Sequence, residues 1–415
     1  MNELVRQLSA IRVAQRKNEV WRHVDFSDYL TDDMQLPQPT VLADAVPSEQ
    51  HSLIDGHYHP ATHRPSGVDI ISMGEARAKG LIGTEASSAT NPYDQLNAEH
   101  YTDGFFVRAH GTSLSDGAPL YLRTEGRQRG ATLTHTRSIV RVEEGCQLSI
   151  VRSDEGMDEN TGFASDVTEF YLGRNASLAY YEMQNLGSRK ALLSQLHVHM
   201  EEGATLQMGI FTLNGGYVRN HCEVHMHGEH CNCHIAGLYL MDRKQQTDDY
   251  VFVDHQCPNC TSREVFKGIM DDMAHAVFHG HVRVDEGAVG TNASQSNKNI
   301  LLTDKAGVHA QPFLEIYNDD VMCSHGTTTG QLDEQAMFYL RSRGISERTA
   351  RTLLLYAFCD EVIQTVSLPK LRTRMSDLVK KRLHGELTPC ADCVLHCSTP
   401  CNGPDANFRI DTSVL

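Results

Sequence analysis

The sequence predicts a mainly β chain: a right-handed parallel β-helix (solenoid) core flanked by N-terminal and C-terminal helical regions. Three observations carry that expectation. Between about 100 and 325 the chain consists of short β-rich runs separated by glycine-centred turns. Within that stretch one phrase recurs: alternating apolar residues, an acidic pair, Gly, a small residue, then another strand. It reads Ile139-Val-Arg-Val-Glu-Glu-Gly-Cys-Gln-Leu, His197-Val-His-Met-Glu-Glu-Gly-Ala-Thr-Leu and His281-Val-Arg-Val-Asp-Glu-Gly-Ala-Val, with a weaker copy at Phe170-Tyr-Leu-Gly-Arg-Asn-Ala-Ser-Leu. The small residue falls at Cys146, Ala176, Ala204, about Cys231 and Ala288. The gaps are 30, 28, 27 and 57 residues, the last close to two repeats. A sustained period of that size signals stacked rungs. A sandwich would turn every 8–12 residues or so without the longer echo.

The remaining elements follow in order. Residues 1 to about 34 read as helical, with Leu4, Leu8 and Ile11 on one face and a second apolar patch at Trp21, Val24, Phe26 and Tyr29. Residues 35–70 are rich in Pro, His and Ser and read as a loop; residues 1–95 together form the N-terminal region. The solenoid core takes 96–330. After Gly330 the apolar period becomes helical. Leu332, Met337, Phe338 and Leu340 fall in a helix that Gly344 stops. Ser346 can cap the next, with a stripe of Ala350, Leu353, Leu354, Ala357, Phe358 and Val362. Leu368-Pro369 breaks it. A third helix turns Leu371, Met375, Leu378 and Leu383 inward, with Lys370, Arg372, Arg374, Lys380, Lys381 and Arg382 around it. Residues 331–387 thus form a C-terminal helical region, and 388–415 a Cys-rich tail. The basic cluster reads either as a docking surface or as a solvated helix face.

Composition narrows the function. The chain has 415 residues, with 37 Lys and Arg against 53 Asp and Glu, for a net charge of −16. Nucleic acid is not an expected partner, because phosphate binding needs a cationic stripe. The N-terminus lacks an apolar leader and no run of eighteen apolar residues occurs, so we expect a cytoplasmic protein with no membrane partner. Twelve cysteines and 23 histidines stand out. In a reducing compartment such thiols are either core filler or metal and sulfur chemistry.

Four clusters invite that chemistry. His57, His59 and His63 lie in the polar loop, where no rigid element holds the rings. Residues 221–234 hold His221, Cys222, His225, His227, His230, Cys231, Cys233 and His234. They would either stack inward as a sulfur-handling path or divide into core filler and solvated groups, and sequence does not fix which side faces in. Cys257-Pro-Asn-Cys260 is a redox pair or half of a zinc site by spacing. Cys390, Cys393, Cys397 and Cys401 give C-x2-C-x3-C-x3-C, four thiols able to close one tetrahedral site, although the spacing is not that of bacterial ferredoxins.

The most informative stretch is 321–344, Val-Met-Cys-Ser-His-Gly-Thr-Thr-Thr-Gly-Gln-Leu-Asp-Glu-Gln-Ala-Met-Phe-Tyr-Leu-Arg-Ser-Arg-Gly. Cys323 and His325 sit two apart, so on a strand they share a side. Thiolate and imidazole both bind iron and zinc, but two ligands leave a tetrahedral site incomplete and call for a partner chain. This segment resembles the SufB/SufD family of iron–sulfur cluster assembly proteins, and its wording is similar to the SufD-like branch. SufB-like members typically have acidic residues around their ligand His, where this chain has Ser324 and Gly326. The resemblance extends through Ser294-Gln-Ser-Asn-Lys-Asn-Ile-Leu-Leu, Phe313-Leu-Glu-Ile-Tyr-Asn-Asp-Asp, Ile345-Ser-Glu-Arg-Thr-Ala-Arg and Phe358-Cys-Asp-Glu-Val-Ile. Glu19-Val-Trp-Arg-His-Val-Asp-Phe resembles the family's N-terminal Trp-centred element.

The resemblance implies the β-helix fold and a non-catalytic scaffold subunit of a SufBCD-like complex. The chain would pair with a SufB-like paralogue, or with itself in isolation, and would dock a SufC-like ABC-type ATPase through its C-terminal helices. Leu353, Phe358, Leu371, Met375, Lys380 and Arg382 are the expected docking residues. His325, beside Cys323, would handle a transient iron–sulfur cluster shared with the partner, and a reduced flavin is raised as a cofactor of the assembled complex. The family ends near Leu387, so it says nothing of the tail. No G-x4-G-K-[ST] or G-x-S-x-G motif occurs, so ATP hydrolysis belongs to the partner. The rival reading is a β-helix enzyme acting on carbohydrate or acyl substrates.

Overall fold

The computed structural model describes residues 3–39, 50–62, 66–82, 90–110, 118–156 and 161–384. In chain order its strands are β1 (His51–Ile54), β2 (His57–His59), β3 (Val68–Ser72), β4 (Phe105–Ala109), β5 (Leu120–Gly126), β6 (Thr132–Val142), β7 (Gln147–Gly156), β8 (Gly162–Leu172), β9 (Ser177–Asn185) and β10 (Lys190–Met200). They continue as β11 (Thr205–Asn214), β12 (Tyr217–Met226), β13 (Asn232–Met241), β14 (Gln246–His255), β15 (Thr261–Met270), β16 (His275–Val284), β17 (Thr291–Leu301), β18 (Gly307–Ile316) and β19 (Val321–Gly330). Helices α1 (Glu3–Gln15), α2 (Met73–Ala78) and α3 (Pro92–His100) precede or interrupt the early strands. Helices α4 (Glu334–Ser342), α5 (Glu347–Ile363) and α6 (Pro369–His384) follow the last strand.

From β4 onward every strand pairs in parallel with the strand two places along, so the chain winds as a solenoid of about seven turns. Even-numbered strands from β4 build one sheet, ending at β18. Odd-numbered strands from β5 build the other, ending at β19. Register is maintained over many rungs: Cys233, Ser262, Ala293 and Cys323 stack in one file. At one corner the chain takes a left-handed residue and then a small buried one. The left-handed residues are Gly145, Asn175, Gly203, His230, Asn259 and Gly287. The buried ones are Cys146, Ala176, Ala204, Cys231, Cys260 and Ala288. Cys260 is the repeat that the 57-residue gap conceals. Asn tolerates the left-handed region better than most residues, so the corner survives without glycine.

Three apolar layers result. Between the sheets lies a core that includes Val140, Phe170, Leu196, Val224, Val253 and Phe278. On the outer face of the even sheet, Phe163, Leu193 and Tyr217 are covered by Leu4, Leu8, Trp21, Val24 and Phe26. On the outer face of the odd sheet, Tyr181, Phe211, Leu238 and Ile269 are covered by Leu355, Cys359, Val362, Met375 and Leu378.

Some expectations need correction. Among the described residues of the first 34, only 3–15 are α-helical. After Gln15 the chain turns, with Asn18 Oδ1 accepting from Val20 N at 3.0 Å, and Trp21 reaches the sheet from a non-helical backbone. Residues 35–70 are not all loop: β1 and β2 form a hairpin around Asp55 and Gly56, both at positive φ, the preferred two-residue connection. In α5 the buried stripe is Ala350, Leu355, Cys359, Val362 and Ile363. Leu353, Leu354 and Phe358 are half-buried and Ala357 is exposed. Three consecutive leucines make the helix apolar on several faces, so periodicity alone did not select the right one.

Arg137 illustrates how charge is buried here. It donates to Asp94 Oδ1 at 2.7 Å and to Glu169 Oε1 at 2.6 Å, tying α3 to β6 and β8 with all three groups almost fully enclosed. Replacing Arg137 with Ala strands two buried carboxylates. We expect a loss of about 3–5 kcal/mol in unfolding free energy, read from urea titrations followed by circular dichroism.

Candidate functional site

The solenoid's last rung is β18 and β19, and both lie at the edges of their sheets. An unpaired edge offers a row of free backbone donors and acceptors. Here it is joined by exposed apolar side chains: Phe313 is 51% exposed, Tyr317 56% and Met322 68%. Phe338 and Tyr339 on α4, which follows β19 directly, are also exposed.

On β19, Val321, Cys323 and His325 continue the inward file of the previous odd strand, being registered against Thr291, Ala293 and Gln295. Cys323 packs against the small cluster of Val282, Val284, Ala288 and Ala293 and is half-buried. Partial burial pushes its thiol up, with a hydrogen bond at the Ala293 backbone opposing. His325 is exposed. The pair therefore presents one soft and one borderline donor at the open end of the solenoid, side by side as the spacing predicts.

Beneath His325 the file turns polar, which the sequence reading did not anticipate. Gln295 donates to Glu264 Oε2 at 2.7 Å, and both side chains are buried. Burial raises the Glu264 carboxyl to about 8, the Gln295 hydrogen bond opposing, so near neutrality it is largely protonated. Alongside, Tyr239 donates to Asn299 Oδ1 at 2.6 Å and accepts from Asn297 at 3.0 Å. Further down the interior Arg152 donates to Asp154 Oδ1 at 2.9 Å and to Asp166 Oδ2 at 2.7 Å. A small cavity opens there, its lining including Asp55, Glu125, Arg152, Asp166 and Lys190. The alternation along β15 and β17 was the available signal, since Glu264 and Gln295 occupy positions that apolar residues hold in β13 and β11.

The histidine–cysteine run divides by strand parity. Cys222 and Cys233 face the core. His221, Glu223 and His225 face outward, under or beside the N-terminal segment. Glu223 accepts from His221 at 2.7 Å and lies 3.3 Å from His197 Nδ1. His225 Nδ1 is 3.3 Å from Asp254 Oδ2. His199 Nδ1 lies 3.0 Å from Nε2 of the exposed His227. Burial would depress His225, but the hydrogen bonds to Asp254 and Glu223 win and raise it to about 9.

The remaining expected sites separate. His57 and His59 lie on β2, while His63 falls outside the described residues. Cys390, Cys393, Cys397 and Cys401 also fall outside them. Among the described residues no group of three or more His, Cys, Asp or Glu is placed to hold a metal ion, and no helix is long and apolar enough to cross a membrane. Leu371 and Met375 are buried against the odd sheet. Arg382 is spent on the solenoid, donating to Leu213 O at 2.7 Å and Asp242 Oδ2 at 2.8 Å. Lys380 sits 5.0 Å from the Tyr356 ring centre. Of the six expected docking residues, Leu353 and Phe358 remain half-buried on α5, and Lys267 Nζ lies 4.4 Å from the Phe358 ring centre.

Comparison with known proteins defines the class that this solenoid and its terminal rung point to. Residues 123–358 match the model of the SUF system FeS cluster assembly SufBD core domain. The chain belongs to the SufB/SufD family, and it is SufD-like. It is 26% identical to the iron–sulfur cluster assembly protein SufD of Escherichia coli, over 92% of each chain. It is 29% identical to a SufBD family protein of Synechocystis sp., over 90% of this chain and 88% of that one. A SufBD family protein of Mycobacterium leprae is 28% identical over 80% of this chain and 84% of its own. Family membership places the protein in iron–sulfur cluster assembly.

The raised His225 has a stability consequence. Its contribution is complete below its unfolded value near 6.5 and is lost as pH rises through about 9. His225→Gln should therefore be less stable than wild type by roughly 1–2 kcal/mol at pH 6. The difference should close by about pH 10, in paired denaturant titrations across that range.

Proposed function

We propose that the protein is a non-catalytic scaffold subunit. It pairs through the β18–β19 rung with a SufB-like paralogue, docks a SufC-like ATPase on its C-terminal helices, and holds cluster cargo at His325 with Cys323. The observation that carries this reading is the terminal rung itself, where a thiol, an imidazole and the last strand of each sheet lie within one exposed apolar rim. Cys323 and His325 supply two donors, and the partner's facing rung would supply the rest. Imidazole ligation raises cluster potential relative to thiolate and suits cargo that must leave. Cys323, whose thiol partial burial pushes up, would release its proton to solvent on binding iron.

The docking face is refined by the helix packing. Leu371, Met375 and Arg382 hold α6 to the solenoid, so the surface left for the ATPase is the outer side of α4 and α5, with Phe338 and Tyr339 foremost. Deleting α5 and α6 would uncover Tyr181, Phe211 and Leu238, so substitution is the better probe of docking.

His325→Ala should leave folding and partner binding near wild type, because the ring is exposed and covers little apolar area. Iron and acid-labile sulfide assembled on the complex should drop severalfold. Assembly and transfer at wild-type levels would refute the assignment. Separately, Met322→Glu with Tyr317→Lys should weaken pairing with a SufB-like protein at least tenfold in sedimentation, with unchanged circular dichroism. Undiminished pairing would remove the terminal rung as the interface.

A further inference from the structure

The corner that follows the even strands carries chemistry that the assembly role does not use. Its small buried position is occupied by Ala at 176, 204 and 288 and by Cys at 146, 231 and 260, the last two on consecutive rungs. The two are stacked neighbours: Thr261 N donates to Cys231 O at 2.9 Å as one rung passes the next. Neighbouring strands lie about 4.8 Å apart, within the Cα separation that a disulfide bridges. Both thiols turn to the same acceptor, each Sγ lying 3.3 Å from Gly228 O. A third thiol is one turn of backbone away. Cys257, partly exposed, lies 3.1 Å from the preceding carbonyl, His227 O.

We propose that Cys231 and Cys260 form a cross-rung dithiol that cycles with a disulfide by exchange with low-molecular-weight disulfides, Cys257 being the thiol through which exchange enters. The Cys257 thiolate attacks one sulfur of glutathione disulfide, the S–S bond breaks, and one glutathione leaves as thiolate. Cys260 then attacks the Cys257 sulfur and expels the second glutathione. Cys231 attacks the Cys260 sulfur, forms the cross-rung bond and restores Cys257 as a thiol. In sum two protein thiols give up two electrons and two protons, and one disulfide becomes two thiols. The local electrostatics favour the middle step: a hydrogen bond from Cys231 lowers the Cys260 thiol against the effect of burial, and His255 adds to the lowering. A low thiol at that position makes Cys260 an available nucleophile for that step, whereas the hydrogen bond to Cys260 and burial push the Cys231 thiol up and burial pushes Cys257 up. Among the described residues no third ligand converts the pair into a metal site. This inference does not depend on the scaffold reading.

The test uses the full chain equilibrated with glutathione buffers of graded ratio, quenched in acid, alkylated, digested without reduction and sequenced by fragmentation mass spectrometry. The expected product is a peptide pair joined Cys231 to Cys260, 2 Da lighter than the two free peptides together and separated again by dithiothreitol. In Cys257→Ser the same link should form at least tenfold more slowly. In Cys231→Ser the link should appear between Cys257 and Cys260 instead. Recovery of Cys231 and Cys260 fully alkylated at every ratio would overturn the proposal, as would disulfides confined to other cysteines.

Discussion

The structure depends on parallel pairing held in strict register from rung to rung. Because each residue in a strand stacks on its counterpart in the next, a choice made once is repeated along the whole solenoid. An inward position becomes a file, and a file must be apolar throughout or polar with every member partnered. The corner shows the constraint most directly. It needs a left-handed residue followed by a side chain small enough to sit under the next turn, and only Cys and Ala occupy that position. At Gly228 a Cβ would come within 2.1 Å of the Glu202 backbone nitrogen, so side-chain volume is excluded from the corner as well as conformation.

The polar files follow from the same constraint. An ion placed between two sheets loses its water, and only geometry that supplies partners offsets that loss. Arg152, enclosed between sheets, has Asp154 and Asp166. Arg219, on the outer face under Trp21, has Asp248 and lies 4.9 Å from the indole ring centre. These groups add little net stability compared with apolar filling, but they penalise a slipped register heavily, since a one-residue shift would leave each charge facing the wrong side. The even sheet is sealed by the N-terminal segment and the odd sheet by α5 and α6, so both outer faces are dry over much of their area.

What could be read from the sequence follows from what repeats. The rung period was visible because Glu-Glu-Gly and Asp-Glu-Gly corners recur. It faded where His230 and Asn259 replace glycine, so the Cys260 rung was missed. The Cys323 and His325 alternation was legible, and the shared side follows from strand parity alone. The facing of 221–234 was not, because parity sorts residues into two sets without saying which set is inside. The Asp55-Gly56 hairpin was legible in principle but was masked by the polar, proline-rich composition around it. The face of α5 was not legible, since the choice among Leu353, Leu354 and Leu355 is made by the sheet it lands on.

The end of a solenoid is where an inward file meets whatever comes next. In every earlier rung, the position of His325 is covered: Gln295 by β19, Glu264 by β17. Only at the last rung can a side chain belonging to the interior file reach another molecule without breaking register. A second solenoid meeting this end would extend the file rather than cover it, placing its own inward residues opposite Cys323 and His325. The donors would then be shared between chains, enclosed on two sides by sheet and connected below to Gln295 and a carboxyl, Glu264, that burial keeps largely protonated near neutrality. A site assembled that way is complete only while the two ends touch. Any motion that parted them would remove the donors of one chain at once, and holding and releasing a bound group would then be two positions of one interface.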